Sequence, residues 1–268
     1  MINVIICGVG GQMGGRLAHL SLQSEDLRVV AGVEASGHPG VGKDVGEVIG
    51  AKRLDAPVVD DLTEVIDRGD AVLAFTVPPD GTVTASAVAG RAGKPMVVGT
   101  TGMSEAQLGV FKKNVAGIPC VFASNYTAGV TLLTRLVEEA ARVLGDACDV
   151  EVVEMHHHFK KDAPSGTALT LADAAAKGLD RSLKEVAVYG REGMVGARKR
   201  EEIGIHAVRG GDIVGDHTVM FIGSGERIEF VHRVQSRDAF ASGALRAVRF
   251  AVKAKPGFYG MRDVLGIQ

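Results

Sequence analysis

A chain of 268 residues with 46% hydrophobic and 23% charged residues has the composition of a folded globular protein, and at roughly 150 residues per domain it has room for two. Thirty basic against 32 acidic residues leave a net charge of −2, so neither nucleic acid nor a membrane surface is an expected partner. Few prolines and no low-complexity tract argue against disorder, and no apolar run reaches the roughly 18 residues of a membrane span.

In chain order, Ile2–Cys7 (INVIIC) reads as a buried strand and Gln12–Gln23 as a helix with Met13, Leu17 and Leu20 at helical spacing. Leu27–Glu34 is a second strand, and glycine-rich Gly37–Gly50 reads as an exposed loop. Asp70–Phe75, Met96–Thr100 and Cys120–Ser124 continue the buried strands, and Ser104 with Gln107 forms an S-x-x-Q capping box opening a helix. Apolar strands alternating with helices indicate an α/β domain with a doubly wound parallel sheet. From Ala128 the pattern changes: a helix to Leu144, a strand Asp149–Met155, a polar cluster and a helix beginning near Thr167. Beyond Val186 the strands IGIHAVR, HTVMFIG and RIEFVHRV follow one another with glycine turns between. This half reads as α+β with a mostly antiparallel sheet. Asp238 then caps a last helix to about Lys253, whose stripe of Phe240, Leu245, Val248 and Val252 suits either domain. Cys7 and Cys120 sit in apolar runs and no CxxC pair occurs, which with the absence of a leader-like start suits a cytosolic compartment.

Glycine stands at 36, roughly twice its average share. Gly8-Val9-Gly10-Gly11-Gln12-Met13-Gly14 fails the strict GxGxxG spacing but fits GxxGxxG, between a strand and a helix. Such a turn lets a pyrophosphate rest on the N–H groups of the helix N-terminus. Glu34, ending the second strand 20 residues after Gly14, is placed to accept from ribose hydroxyls. Alone, the glycines serve a packing turn as well, and Glu34 a solvated strand end. Gly99-Thr100-Thr101-Gly102 and Ala123-Ser124-Asn125-Tyr126 follow later strands, where a dinucleotide site would extend or where a turn simply meets a cap.

The second signal is the stretch Glu154-Met-His-His-His-Phe-Lys-Lys-Asp-Ala-Pro-Ser-Gly-Thr-Ala168. Adjacent histidines on a strand face opposite ways and no partner stands at ligand spacing, so no metal is expected. Pro164-Ser165-Gly166-Thr167 runs straight into a helix, and its N–H groups, two hydroxyls and nearby Lys160 suit a carboxylate. Histidine and lysine beside such a cradle suit proton donation to a small acidic substrate. The bland alternatives are a polar loop and ordinary capping.

The pattern E-x-H-H-x-x-K-x-D-x-P-S-G-T-A, read from Glu154 to Ala168, resembles the signature of the bacterial 4-hydroxy-tetrahydrodipicolinate reductases (dihydrodipicolinate reductases) of lysine and diaminopimelate synthesis. GxGGxMG at the start, GTTG, the SNY element, REG at Arg191–Gly193, RGGDIVGDHT at Arg209–Thr218 and MRDVL at Met261–Leu265 follow in the family's order. The resemblance implies an N-terminal Rossmann domain (1–126 and 239–268) and a substrate and tetramer-forming domain (127–238). It implies hydride transfer from a reduced nicotinamide to a cyclic, conjugated dicarboxylate, giving tetrahydrodipicolinate after loss of water. By match, His156 and Lys160 carry protons, and His157, Gly166 and Thr167 hold substrate. Gly8, Val9, Gly10, Gly11, Gln12, Met13, Glu34, Gly99, Thr100, Thr101, Ala123, Ser124, Asn125 and Tyr126 hold cofactor. Where NADPH-using members carry arginines, this chain has Ala35 and Val77, so NADH is expected to be preferred over NADPH. Lys43 and His38 in the glycine-rich loop are the cations that could reach a 2′-phosphate instead. A nucleotide-binding sensor without turnover is the rival from another class; it needs the glycines but neither His156 nor Lys160.

Overall fold

The apolar run Ile2–Cys7 forms β1, with Val4 to Cys7 buried, and a computed structural model describes the chain over residues 1–267. It leads to α1 (Gln12–Leu22), β2 (Leu27–Val33), α2 (Val45–Ile49), β3 (Val58–Val59), β4 (Ala71–Ala74) and α3 (Asp80–Arg91). Then come β5 (Met96–Val98), α4 (Glu105–Asn114) and β6 (Pro119–Phe122). Past residue 127 follow α5 (Ala128–Leu144), β7 (Asp149–His156), α6 (Gly166–Gly178), α7 (Leu183–Val186) and β8 (Ala187–Tyr189). β9 (Ile203–Arg209), β10 (Gly215–Ile222), β11 (Arg227–Val234), α8 (Asp238–Ala251), β12 (Gly257–Tyr259) and α9 (Met261–Leu265) complete the chain. The chain divides into two units, residues 1–127 with 237–268, and residues 128–236.

In the first unit seven parallel strands lie in the order β12-β6-β5-β4-β1-β2-β3. Strand alternation divides the core between the sheet's two faces. Val4, Ile6, Val29, Leu73 and Val97 pack with Leu17 of α1 and with Ala244, Leu245 and Val248 of α8. Ile5, Cys7, Ala31, Val72, Met96 and Val98 pack with Ala85 and Val88 of α3 and with Phe111 of α4. α8 therefore belongs to this unit. The strand order reverses between β1 and β4, so a crevice opens beyond their carboxyl ends, where ligands bind in such sheets.

Two local expectations fail here. The stretch Gly37–Gly50 is not all exposed loop: its end forms α2, and Asp44 is buried with its carboxylate accepting from the backbone N–H of Gly46, Leu54 and Ala56 at 2.8 Å each. Those three donors hold the Asp44 carboxyl below its usual range against the opposing effect of burial. Asp238 is the first residue of α8 rather than its cap, Arg237 standing at that position; its carboxylate is taken by Arg16 Nε at 2.6 Å.

In the second unit five strands lie in the order β11-β10-β7-β9-β8, covered on one face by α5 and α6. The sheet is mixed rather than mostly antiparallel: β10 runs against β7 and β11, but β7, β9 and β8 are parallel. The return from β7 passes through α6, and a helical crossover of that kind delivers parallel strands. β7 alternates strictly, burying Val150, Val152, Glu154 and His156 on the helix-covered face. No helix among the described residues is long and apolar enough to cross a membrane.

Candidate functional site

The crevice of the first unit is a cleft of about 1040 Å³ lined by residues from the ends of β1, β2, β4 and β5 and from α3. Gly8 has φ +84°, and a Cβ there would lie 2.6 Å from the Phe75 carbonyl oxygen. A Cβ on Gly14 would lie 1.9 Å from the Gly8 oxygen, so only glycine lets α1 close against the turn. The N-terminus of α1 has no side-chain cap and no acid in its first turn, which leaves its positive end to an anion. Glu34 Oε1 accepts the Gly10 N–H at 2.6 Å, tying the second strand's end to the glycine turn. These features fit a dinucleotide: a backbone cradle that a Cβ would fill, and a carboxylate at its rim.

Of the residues expected at the cofactor, Gly8, Gly10, Gly11, Gln12, Met13, Glu34, Gly99, Thr100 and Thr101 line this cleft. Thr100 Oγ1 is bound within the protein, accepting the Thr76 N–H at 3.0 Å and lying 2.6 Å from Thr82 Oγ1. Val9 and Tyr126 are core residues, and the Tyr126 hydroxyl lies 2.8 Å from the Val98 carbonyl oxygen and 3.0 Å from that of Val121. What either offers a ligand is main chain. Ala123, Ser124 and Asn125 lie off the cleft's lining; Asn125 Oδ1 accepts from the backbone N–H and hydroxyl of Thr127. The cleft adds residues that sequence reasoning passed over: Asp60, Asp61 and Asp80, with His38 among the lining and no lysine or arginine. Their positions, Asp60 and Asp61 after short β3 and Asp80 as the first residue of α3, carried no motif that marks them.

In the second unit the end of β7 holds a buried polar cluster. Glu154 has no exposed surface, His156 is 9% exposed, and His156 Nδ1 lies 2.6 Å from Glu154 Oε2. Arg209 at the end of β9 grips Glu154 bidentately at 2.8 Å on each oxygen, and the Ser165 N–H donates to Oε1 at 3.0 Å. Burial works against the charge on Glu154, but Arg209, His156 and the Ser165 N–H outweigh it and keep the carboxyl below its usual range. His217, opposite Glu154 on β10, packs edge-on to His156 with ring centroids 5.3 Å apart. Burial, then His156, push its pKa down to about 4.

Ser165 caps α6, its Oγ accepting the Ala168 N–H at 3.1 Å and lying 3.0 Å from His217 Nε2. One of the two hydroxyls expected in the carboxylate cradle is thus already engaged inside the protein. Gly166 is exposed with open space where a Cβ would stand, and Thr167 follows in the first turn of α6, which carries no acid. Lys160 stands on the turn after β7, its Nζ 3.0 Å from Asp162 Oδ1, and His157 Nδ1 is buried without a hydrogen-bond partner. His158 and Phe159 are exposed, and no group of metal-ligating side chains occurs among the described residues.

Family models described as dihydrodipicolinate reductase, N-terminus and C-terminus, match residues 2–126 and 129–265. A 4-hydroxy-tetrahydrodipicolinate reductase of Syntrophobacter fumaroxidans is 46% identical over 268 residues, covering all of both chains. The one of Halorhodospira halophila is 45% identical over 266 residues, covering 99% of each. Among solved structures, a dipicolinate-bound dihydrodipicolinate reductase from Paenisporosarcina sp. TG-14 superposes with a TM-score of 0.77 at 26% identity, covering 98% of this chain and 99% of that one.

Proposed function

The chain belongs to the dihydrodipicolinate reductase family, and from that premise we propose that it reduces 4-hydroxy-tetrahydrodipicolinate to tetrahydrodipicolinate in lysine and diaminopimelate synthesis, with NADH preferred over NADPH. The observation that carries the reading is the buried Glu154–His156 pair, tied through the Ser165 N–H to the N-terminus of α6. A proton-carrying ring held next to the positive end of a helix suits a reaction that adds a proton to a dicarboxylate ring.

When bound, the reduced nicotinamide supplies the hydride. The turn Gly8, Val9, Gly10, Gly11, Gln12 and Met13 would receive its pyrophosphate: the N–H groups of Gly8, Gly10 and Gly11 are engaged by Val33, Glu34 and Gly8 oxygens, so Gln12 and Met13, at the uncapped start of α1, would supply the main-chain donors. Glu34 takes the ribose hydroxyls, and Gly99, Thr100 and Thr101 close the cleft's other side. Ala123, Ser124, Asn125 and Tyr126 belong to the same cofactor-binding unit. In the second unit the α6 N-terminus at Gly166 and Thr167 receives one substrate carboxylate, and Lys160 and His157 stand by the ring. Loss of the 4-hydroxyl as water leaves the conjugated ring, and His156 and Lys160 supply the proton that balances the hydride added to it. The preference for NADH rests on charge: Glu34, Asp60, Asp61 and Asp80 line the cleft against one histidine, His38, and among the described residues no lysine or arginine lines it to offset a 2′-phosphate. The units of residues 1–127 with 237–268 and of 128–236 act as cofactor and substrate domains.

The assembly proposed is a cytoplasmic homotetramer. By alternation, the face of the second sheet turned away from α5 and α6 carries Val153, Met155, Val208, Met220 and Val231 among charged side chains such as Glu151, Asp216 and Glu229, a mixed surface that a second sheet would cover. Light scattering on the eluting protein tests it. The activity is tested by following cofactor absorbance with freshly generated substrate. No oxidation above background overturns the assignment, and a strong NADPH preference overturns the account of Glu34.

A further inference from the structure

Glu154 is a fully buried carboxylate that the proposed chemistry leaves without a task. An ionised carboxylate only accepts hydrogen bonds, with room for about four. Here all four places are taken: His156 Nδ1 and one Arg209 nitrogen on Oε2, the other Arg209 nitrogen and the Ser165 N–H on Oε1. The arrangement follows from the strands. Glu154 and His156 stand two apart on β7 and so share a face, and Arg209 stands opposite His156 in the parallel register of β9.

Arg209 keeps Glu154 ionised, so the proton in the 2.6 Å contact sits on His156 Nδ1. The other ring nitrogen, Nε2, is then the one free to exchange a proton. Its surroundings agree: a Cβ at Gly215 of β10 would come within 3.1 Å of Nε2, so glycine there leaves that edge of the ring uncrowded. The same carboxylate, through the Ser165 N–H, is anchored to the cap of α6, the helix whose N-terminus forms the proposed substrate cradle.

We infer that Glu154 is a positioning residue: it fixes His156 with its proton on Nδ1 and Nε2 as the exchanging atom, and it locks that ring to the start of α6. This rests on the reading of His156 as the acid–base group. Orientation of a catalytic imidazole by a carboxylate is worth up to about 10⁴-fold in kcat where it has been dissected by substitution.

The first test needs no variant at Glu154. In the full-length protein with histidine labelled by ¹⁵N, the resonances lost in His156→Gln identify His156, and its nitrogen shifts report the tautomer. The neutral ring is expected as the Nδ1–H form; an Nε2–H form overturns the proposal, whatever Glu154 variants do. The second test is a double-mutant cycle. Glu154→Gln is expected to lower kcat by about 10²–10⁴-fold, to change KM for substrate and Kd for NADH little, and to lose nothing further when combined with His156→Gln. Glu154→Asp should restore part of kcat. Equal losses from Glu154→Gln in both backgrounds overturn the proposal alone. A His156→Gln enzyme that keeps its kcat removes the reading beneath it, and the two failures are thereby told apart.

Discussion

The cleft of the first unit and the polar cluster of the second are built on opposite plans. The cleft's floor is mostly main chain: glycines that admit no Cβ and an uncapped helix end, with the Glu34 carboxylate at the rim reaching the Gly10 N–H. The cluster is mostly side chain: Glu154, His156, Ser165 and His217 are buried and, with partly exposed Arg209, linked by hydrogen bonds and ring contact. A site made of backbone tolerates change in its side chains and fails only when glycine geometry fails. A site made of interlocked side chains is set before substrate arrives, because no group has to give up water to assume its working position. Each removal from it leaves a buried partner unsatisfied.

The widest separation between the two is expected from Lys160→Ala. Lys160 is a loop cation bound only to exposed Asp162 among its ion pairs, so its loss should not disturb the fold. As an anion partner and a proton donor it serves both terms: kcat should fall by about 10²–10⁴-fold and KM for substrate should rise, while Kd for NADH stays unchanged. A variant with near wild-type kinetics would return this stretch to an ordinary solvated loop.

How far each region was legible follows from the same contrast. The cleft's determinants are local: Gly8, Gly11 and Gly14 lie within one turn, and their spacing alone states the bend and the close approach. Asp60, Asp61 and Asp80 were missed because lining a crevice depends on where strands end, which no local spacing encodes. The cluster was legible only as a resemblance to a signature. Its working partner Arg209 lies 55 residues from Glu154, and His217 reaches Ser165 across 52, by strand register alone. A mixed sheet was missed for a like reason: the direction of β9 against β7 is fixed by the α6 crossover, not by the apolar pattern of either strand. Tyr126, placed at the cofactor by motif, has its side chain inside the unit, where its hydroxyl finds two carbonyls that no local spacing foretells.

If the cluster is preset, its neutral member should mark stability against acid. His217 takes a proton near 6.5 when unfolded but only at about 4 when folded. Between those values the unfolded chain binds the extra proton, so stability falls as pH falls, by about 1.4 kcal/mol per pH unit and roughly 3 kcal/mol in all. The paired carboxylates Glu154 and Glu151, the latter held at about 2 by its arginines and His206 against burial, contribute in the same direction but only below the usual carboxylate range. The upper part of the window therefore belongs to histidine, with half-buried His232, lowered by burial, adding a share. His217→Gln keeps a partner for Ser165 and removes the titration. Urea midpoints between pH 6.5 and 4.5 should fall less steeply for it than for wild type; equal slopes would mean that His217 is protonated in the native cluster.

The smallest effect is expected where the first region is most tolerant. Ala35 is exposed on the cleft beside Glu34, and the lining offers four carboxylates and His38 but, among the described residues, no lysine or arginine. Ala35→Arg adds a fixed cation without touching the glycine turn, the Gly10–Glu34 contact or the core. A charge-assisted hydrogen bond to a phosphate is worth about 1.5–3 kcal/mol, and Glu34 beside it returns part of that by competing for the guanidinium. kcat/KM with NADPH should therefore rise by on the order of tenfold, with kcat/KM for NADH changed by no more than a small factor. The gain should shrink as salt rises, since the new pair lies at the surface. An unchanged NADPH value would mean that discrimination lies in the shape of the glycine turn itself, and the division drawn between a backbone cradle and its charged rim would fall with it.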